Sequence, residues 1–264
     1  MKKIVFTLLF LAGTAISAHE FWLEPQHFHL QKGETLKLKF LVGEDFTGEN
    51  WKGNRSSVES LKLYYNDIID DLEPLIPDSL SGDSLNLQFF DEGTAMIAYH
   101  STNKSITLEP AKFLEYLEED GIENAIQYRK DHQETDSAGK ELYQRCAKTI
   151  FQVGAKYDHS YDRVCGLPTE FVPLSNPYAL KKGEQMLVKI LIEGQPASGL
   201  KIKTWHRLNG KTIKNELVSD SSGTIQFPVS RSGKWMVSNV SMFRLENNEK
   251  ADWQSFWASL TWGY

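Results

Sequence analysis

Three of the seven histidines, His19, His27 and His29, fall within eleven residues near the start of the chain. A histidine that begins a polypeptide offers its α-amine and its imidazole Nδ1 together, a two-nitrogen chelate from a single residue. His19 takes that place if the chain is cut after Ala18. An α-amine has a pKa near ~8, so a metal displaces its proton at neutral pH at modest cost, with affinity rising as pH rises. Such donors suit nickel, cobalt and copper better than calcium or magnesium. His27 and His29 form an H-x-H pair, and on a strand both side chains would face the same side. The plainer alternative is a chance cut before a histidine, with His27 and His29 flanking Phe28 on an exposed strand. His100, inside an expected strand, reads more simply as a hydrogen-bonded structural residue than as a further ligand. His132, His159 and His206 have no spacing that links them to a partner.

Other chemistry is poorly represented. The sequence has no nucleophile elbow, H-E-x-x-H helix, P-loop or dinucleotide fingerprint. Carboxylates are plentiful, but no glycosidase pair can be chosen among them from sequence. The expectation is a binding protein, not an enzyme. The closing stretch concentrates Trp253, Phe256, Trp257, Trp262 and Tyr264, either as a sugar-stacking platform or, more simply, as large rings of a last strand packed into a core. Cys146 and Cys165 are the only cysteines, and in an oxidising compartment they suggest a disulfide more than a metal pair.

The elements that must position these residues begin with an export signal. Lys2 and Lys3 precede a mostly apolar run, Ile4 to Ile16, ending in Ser17-Ala18, the pattern of a cleaved signal peptide over 1–18. Thirteen residues are too few for the ~20 of a membrane span. The expected product is a periplasmic chain with no span and no lipidated cysteine. Removing Lys2 and Lys3 and no acid takes the formal charge from −6 to −8. With 29 Lys+Arg against 35 Asp+Glu and no basic block, nucleic acid is not an expected partner.

Period-2 alternation from Gly33, with similar segments at 60–65, 84–90, 94–100 and 105–108, predicts an N-terminal β domain over 19–109. Residues 110–165 read as a helical insert and loop, since Phe113, Leu117, Ile122, Ile126, Leu142, Ala147 and Ile150 recur at helical spacing. After the proline-rich segment 166–177, strands at 185–193, 200–208, 211–218, 224–229, 234–244 and 253–262 predict an immunoglobulin-like sandwich over 166–264, with Asn209-Gly210 as its clearest hairpin. The fold class is therefore mainly β, two sandwich-like units joined by a short helical insert.

Several segments together resemble a known bacterial family: Ala18-His-Glu-Phe-Trp-Leu-Glu-Pro25, 113–121, 141–148, 166–178, 194–199 and 252–261. It is an exported family formally defined as a domain of unknown function, whose members are often described as periplasmic components of cobalt or nickel uptake. The resemblance runs nearly end to end. It implies a β protein that uses its exposed N-terminal histidine to bind a transition metal. Only His19 carries over from it, while His27 and His29 rest on spacing. The expected function is to bind nickel or cobalt and to deliver or buffer it for a membrane transporter. The rivals are copper, with oxidative chemistry at an open amine-imidazole site, and a metal-free module recognising a glycan or protein.

Overall fold

The computed structural model describes residues 19–264, and the expected leader over 1–18 lies outside the described residues. In chain order the strands before the helices are β1 (Glu20–Pro25), β2 (His29–Leu30), β3 (Thr35–Glu44), β4 (Thr47–Asn50), β5 (Val58–Tyr65), β6 (Ile68–Asp71), β7 (Ser84–Gln88), β8 (Gly93–Ser101) and β9 (Lys104–Leu108). Helices α1 (Pro110–Asp120) and α2 (Glu123–Asp131) follow. The rest comprises β10 (Gly139–Val153), β11 (Thr169–Pro173), β12 (Gln185–Ile192), β13 (Gln195–Pro196), β14 (Lys201–Leu208), β15 (Lys211–Val218), β16 (Thr224–Pro228), β17 (Lys234–Arg244) and β18 (Trp253–Gly263).

These strands make three sheets. The largest runs β15-β14-β17-β18-β10-β8-β5-β6, with β2 and β9 also on β10. A four-stranded sheet, β1-β3-β4 with β7 on β3, covers one part of it. Another, β11-β12-β13 with β16 on β12, covers a second part. One core lies between the first small sheet and β5, β8 and β10, built around Phe21, Phe40, Tyr99 and Phe151. A second lies between the other small sheet and β17, β18 and β10, around Phe171, Ile190, Val237 and Trp262. The protein is thus mainly β and sandwich-like, and its two sandwiches share one sheet.

β3, with its inner face alone buried, reads exposed-buried through Thr35–Phe40. β15, largely exposed, and β17, buried on both faces, begin and end where the spacing of strands and turns places them. Asn209 and Gly210 both take positive φ, the two-residue turn that suits the twist of the β14–β15 hairpin.

The expectation of a helical insert holds only as far as Asp131. α1 opens with Pro110, ends on left-handed Gly121 and buries Phe113 and Leu117, and it packs with α2 against β17 and β18. Residues 139–153, expected as helix, form the longest strand. β10 lies inside the large sheet, between β18 in parallel register on one edge and β8 and β9 on the other. Ala147, Phe151 and Val153 enter the first core and Cys146 and Ile150 the second, so both faces are covered and the period-2 signal is erased. A run such as Thr149-Ile-Phe-Gln-Val153 packs on either face.

The cysteines are both free. Cys146 is buried and Cys165 half-buried, so the expected disulfide is not formed. Trp253 and Trp262 are fully buried, while Trp257 is half-buried and stacked on Tyr116. Phe256 and Tyr264 are half-buried too, so of the five rings Trp253 and Trp262 are core residues and the other three keep part of their surface exposed.

Candidate functional site

His19 stands at the head of β1, a strand that is anchored unusually well. Phe21 and Leu23 enter the first core while Trp22 packs on the opposite side with Phe46, Trp205 and Met236, so β1 is buried on both faces. Glu20 is also inside. Lys203 Nζ lies 2.7 Å from Asp120 Oδ1 and 3.7 Å from Glu20 Oε1, tying the strand to α1 and β14. Burial pushes the Glu20 carboxyl up to about 7, against the lowering effect of Lys203.

The His19 side chain, in contrast, is about half exposed. Its Nε2 lies 3.7 Å from Glu44 Oε1. At that distance the carboxylate is an ion-pair neighbour of the ring and not a hydrogen-bond partner. Nδ1 is the nitrogen that the amine chelate needs. The residue can offer a transition metal two nitrogens once its amine is free, with the Glu44 carboxylate beside the ring.

Glu44 is placed by the β3–β4 hairpin, whose turn residues Asp45 and Phe46 both adopt positive φ. For a bulky Phe that conformation is costly. Phe46 is nevertheless buried, edge-on to Trp22 at 5.4 Å with the Lys234 ammonium 4.6 Å from its ring centroid, and this packing holds the turn. Gly43 and Gly48 face each other across the hairpin, where a Cβ on Gly43 would come within 2.1 Å of the Thr47 carbonyl oxygen.

Beside His19 opens a cleft of about 1000 Å³, lined further by Glu44, Glu49, Lys52, Lys104, Tyr143 and Arg145. Arg145, from the middle of β10, lies over Phe21 with its guanidinium carbon 5.0 Å from the ring centroid, and 5.8 Å from that of Tyr143. Burial lowers its pKa, yet an arginine stays charged at any ordinary pH. Among the described residues, none of the ion pairs involves Arg145, Lys104 or Lys52. Lys104 donates to Ser57 Oγ at 3.0 Å.

The structure does not bring His27 and His29 to His19. The six residues of β1 span ~20 Å, and the pair lies beyond its far end. Nor do the two share a strand, since His27 sits in the turn before β2 and only His29 pairs with β10, opposite Gln152. His29 meets Tyr178 edge-on at 4.7 Å, and burial, then Arg231, lowers its pKa. His100 is half-buried in β8 with its Nε2 unpartnered. His132 stacks on Tyr128, His159 pairs with Asp162, and His206 stacks on Trp235. No group of three or more His, Cys, Asp or Glu among the described residues is arranged to hold a metal. Any metal at His19 thus rests on the amine and ring of that one residue. Arg145 and Lys104 were not found by sequence reasoning, because a lone cation carries no local pattern.

A family model described as "Domain of unknown function (DUF4198)" matches residues 16–242. The chain belongs to the DUF4198 family. No curated protein matches the chain. Among solved structures, the D0-D1 domain of intimin is similar at 10% identity and TM-score 0.21, covering 93% of this chain and 98% of that one. Trypsin-activated alpha-2-macroglobulin from Escherichia coli matches at 10% identity and TM-score 0.20 over 93% of this chain and 16% of its own. The chicken CNTN1 FN1-FN3 domains match at 8% identity and TM-score 0.20, over 90% and 66%. Similarities of that size carry no argument about what this DUF4198 chain does. No helix among the described residues is long and apolar enough to cross a membrane.

Proposed function

We propose that this DUF4198 protein, processed in the periplasm to begin at His19, binds nickel or cobalt through the amine and Nδ1 of that residue and passes it to a membrane transporter. The observation that supports this reading most is the contrast at the head of β1. A half-exposed imidazole, with Glu44 beside Nε2, stands on a strand whose next residues are locked into two cores and an internal ion pair. A ligand held this way loses little freedom when a metal binds.

The test is calorimetric titration with Ni²⁺, Co²⁺, Cu²⁺ and Zn²⁺ near neutral pH, comparing protein that begins at His19 with protein carrying one extra residue before it. The extension turns the amine into an amide and leaves one nitrogen donor, so affinity should fall on the order of 100-fold, the scale of losing a linked second contact. Glu44→Gln should also weaken binding, by removing the negative charge beside the ring. Equal binding by the extended and unextended proteins would reject the reading, and a clear preference for Cu²⁺ would move the function to copper handling.

A further inference from the structure

The cleft beside His19 is much larger than a metal ion needs. A hydrated divalent ion occupies about 200 Å³ at ~30 Å³ per water, whereas the cleft is about 1000 Å³, the scale of a site for a small organic ligand. Its charges also oppose a bare cation. The side chains of Lys52, Lys104 and Arg145 against those of Glu44 and Glu49 give the cleft one net positive charge, and a divalent ion bound after the amine loses its proton would raise that to three.

Arg145 faces this space prepared for an anion. Its guanidinium is held over Phe21 and beside Tyr143, without a carboxylate partner among the described residues, so its fork is oriented in advance. Planar, bidentate recognition of carboxylates is what such a fork does best. Phe21 is two residues from His19 and on the same side of the extended chain, which puts their side chains ~7 Å apart. The arginine stacked on Phe21 and the His19 ring are therefore within the span of one small molecule. Lys104 lies on the same cleft and is exposed. A metal held by two nitrogens of one residue also keeps most of its coordination positions open.

We propose that the cargo is not the free ion but its complex with a small polycarboxylate, whose carboxylates bind Arg145 and Lys104 while the metal binds His19. This rests on the metal-binding reading and names its substrate class. The experiment titrates protein beginning at His19 with Ni²⁺ alone, citrate alone and the preformed one-to-one nickel–citrate complex. The complex should bind at least 10-fold more tightly than Ni²⁺. Arg145→Lys, which keeps the charge and removes the fork, should abolish that advantage while leaving the affinity for Ni²⁺ unchanged. Lys104→Gln, a surface change that removes one positive charge, should abolish it while free Ni²⁺ binds no more weakly.

Tight binding of Ni²⁺ from which citrate merely competes would overturn this inference and leave the metal reading standing. An advantage for the complex that survives both variants would place the carboxylates elsewhere and overturn it too. Failure of Ni²⁺ and nickel–citrate alike, or citrate binding that metal does not change, would remove the metal reading and the inference with it.

Discussion

Glu141 is a carboxyl whose proton the fold holds up to about pH 7, and replacing it by glutamine should show this as a pH-dependent gain in stability. It lies at the start of β10, almost fully buried, and accepts hydrogen bonds from Tyr116 Oη at 3.3 Å and from Ser255 Oγ. None of the ion pairs among the described residues involves it. Burial, the largest effect, pushes its pKa from 4.5 up to about 7, against the lowering by Ser255, Tyr116 and Trp257. Because the folded pKa lies above the unfolded one, the folded state holds the extra proton between these values, and stability falls as pH rises through the window. The penalty is absent below pH 4.5 and complete above about pH 7. At 1.36 kcal/mol per unit it reaches about 3 kcal/mol. Glu141→Gln mimics the protonated acid in shape and hydrogen bonding, so the other titrations cancel in the difference from wild type. Urea melts at pH 4, 5.5, 7 and 8.5 should coincide at the acid end, with the variant about 3 kcal/mol more stable at the alkaline end. A difference constant with pH, or a variant weaker at pH 8.5 than at pH 4, would refute the reasoning.

Two further outcomes concern buried groups. Lys148 and Glu170 form an ion pair with no exposed surface, with Lys148 donating to the carbonyls of Phe171 and Arg163 and Glu170 accepting from the Cys165 and Gly166 amides. Lys148→Met strands the carboxylate and should cost ~3–5 kcal/mol in a urea melt, most of it recovered by adding Glu170→Gln; equal losses in the single and double variants would contradict this. Burial raises the Cys146 thiol to about 12 and also raises Cys165, so a thiol reagent should label neither quickly, Cys165 ahead of Cys146, and count two thiols after unfolding; no thiols in the unfolded chain would establish the bond that the structure lacks.

Much of the fold was legible where burial is one-sided, as in β3 and the start of β18, or where turns delimit a strand, as Asn209-Gly210 does for β15 and Ser232-Gly233 for β17, which is itself buried on both faces. β10 and β1 are also covered on two faces, and no pair of flanking turns delimits them. Their polar residues, Glu20, Glu141 and Lys148, are inside through pairs and hydrogen bonds formed with distant parts of the chain, which no local window contains. The same reason divides the candidate site. His19 was visible because a processing signal is local, as the H-x-H spacing was. That spacing misled because the chain turns at His27 before β2 begins. Arg145 becomes meaningful only when β1 is laid beside β10, and the turn at Asp45-Phe46 was hidden because tertiary burial of a phenylalanine replaces the usual glycine.

The parallel pairing of β10 with β18 limits how the cleft can work. Nine residue pairs, from Glu141–Trp253 to Thr149–Thr261, join the sheet across the point where sequence composition places a domain boundary. A hinge there would break a buried hydrogen-bond ladder, so two lobes closing on a ligand are not available to this fold. Arg145 lies within that register opposite Trp257, and its guanidinium rests on Phe21 of a strand buried on both faces. The floor of the cleft is therefore fixed. β4, whose four residues are all exposed, forms part of the opposite wall, while Trp51 just after it is buried against Phe21, Phe40 and Tyr99, so local adjustment is confined to β4 itself. Selectivity at His19 would then come from a rigid imidazole and guanidinium that set the distance between metal and carboxylate, and from the β3–β4 hairpin, which sets how large a ligand fits between them.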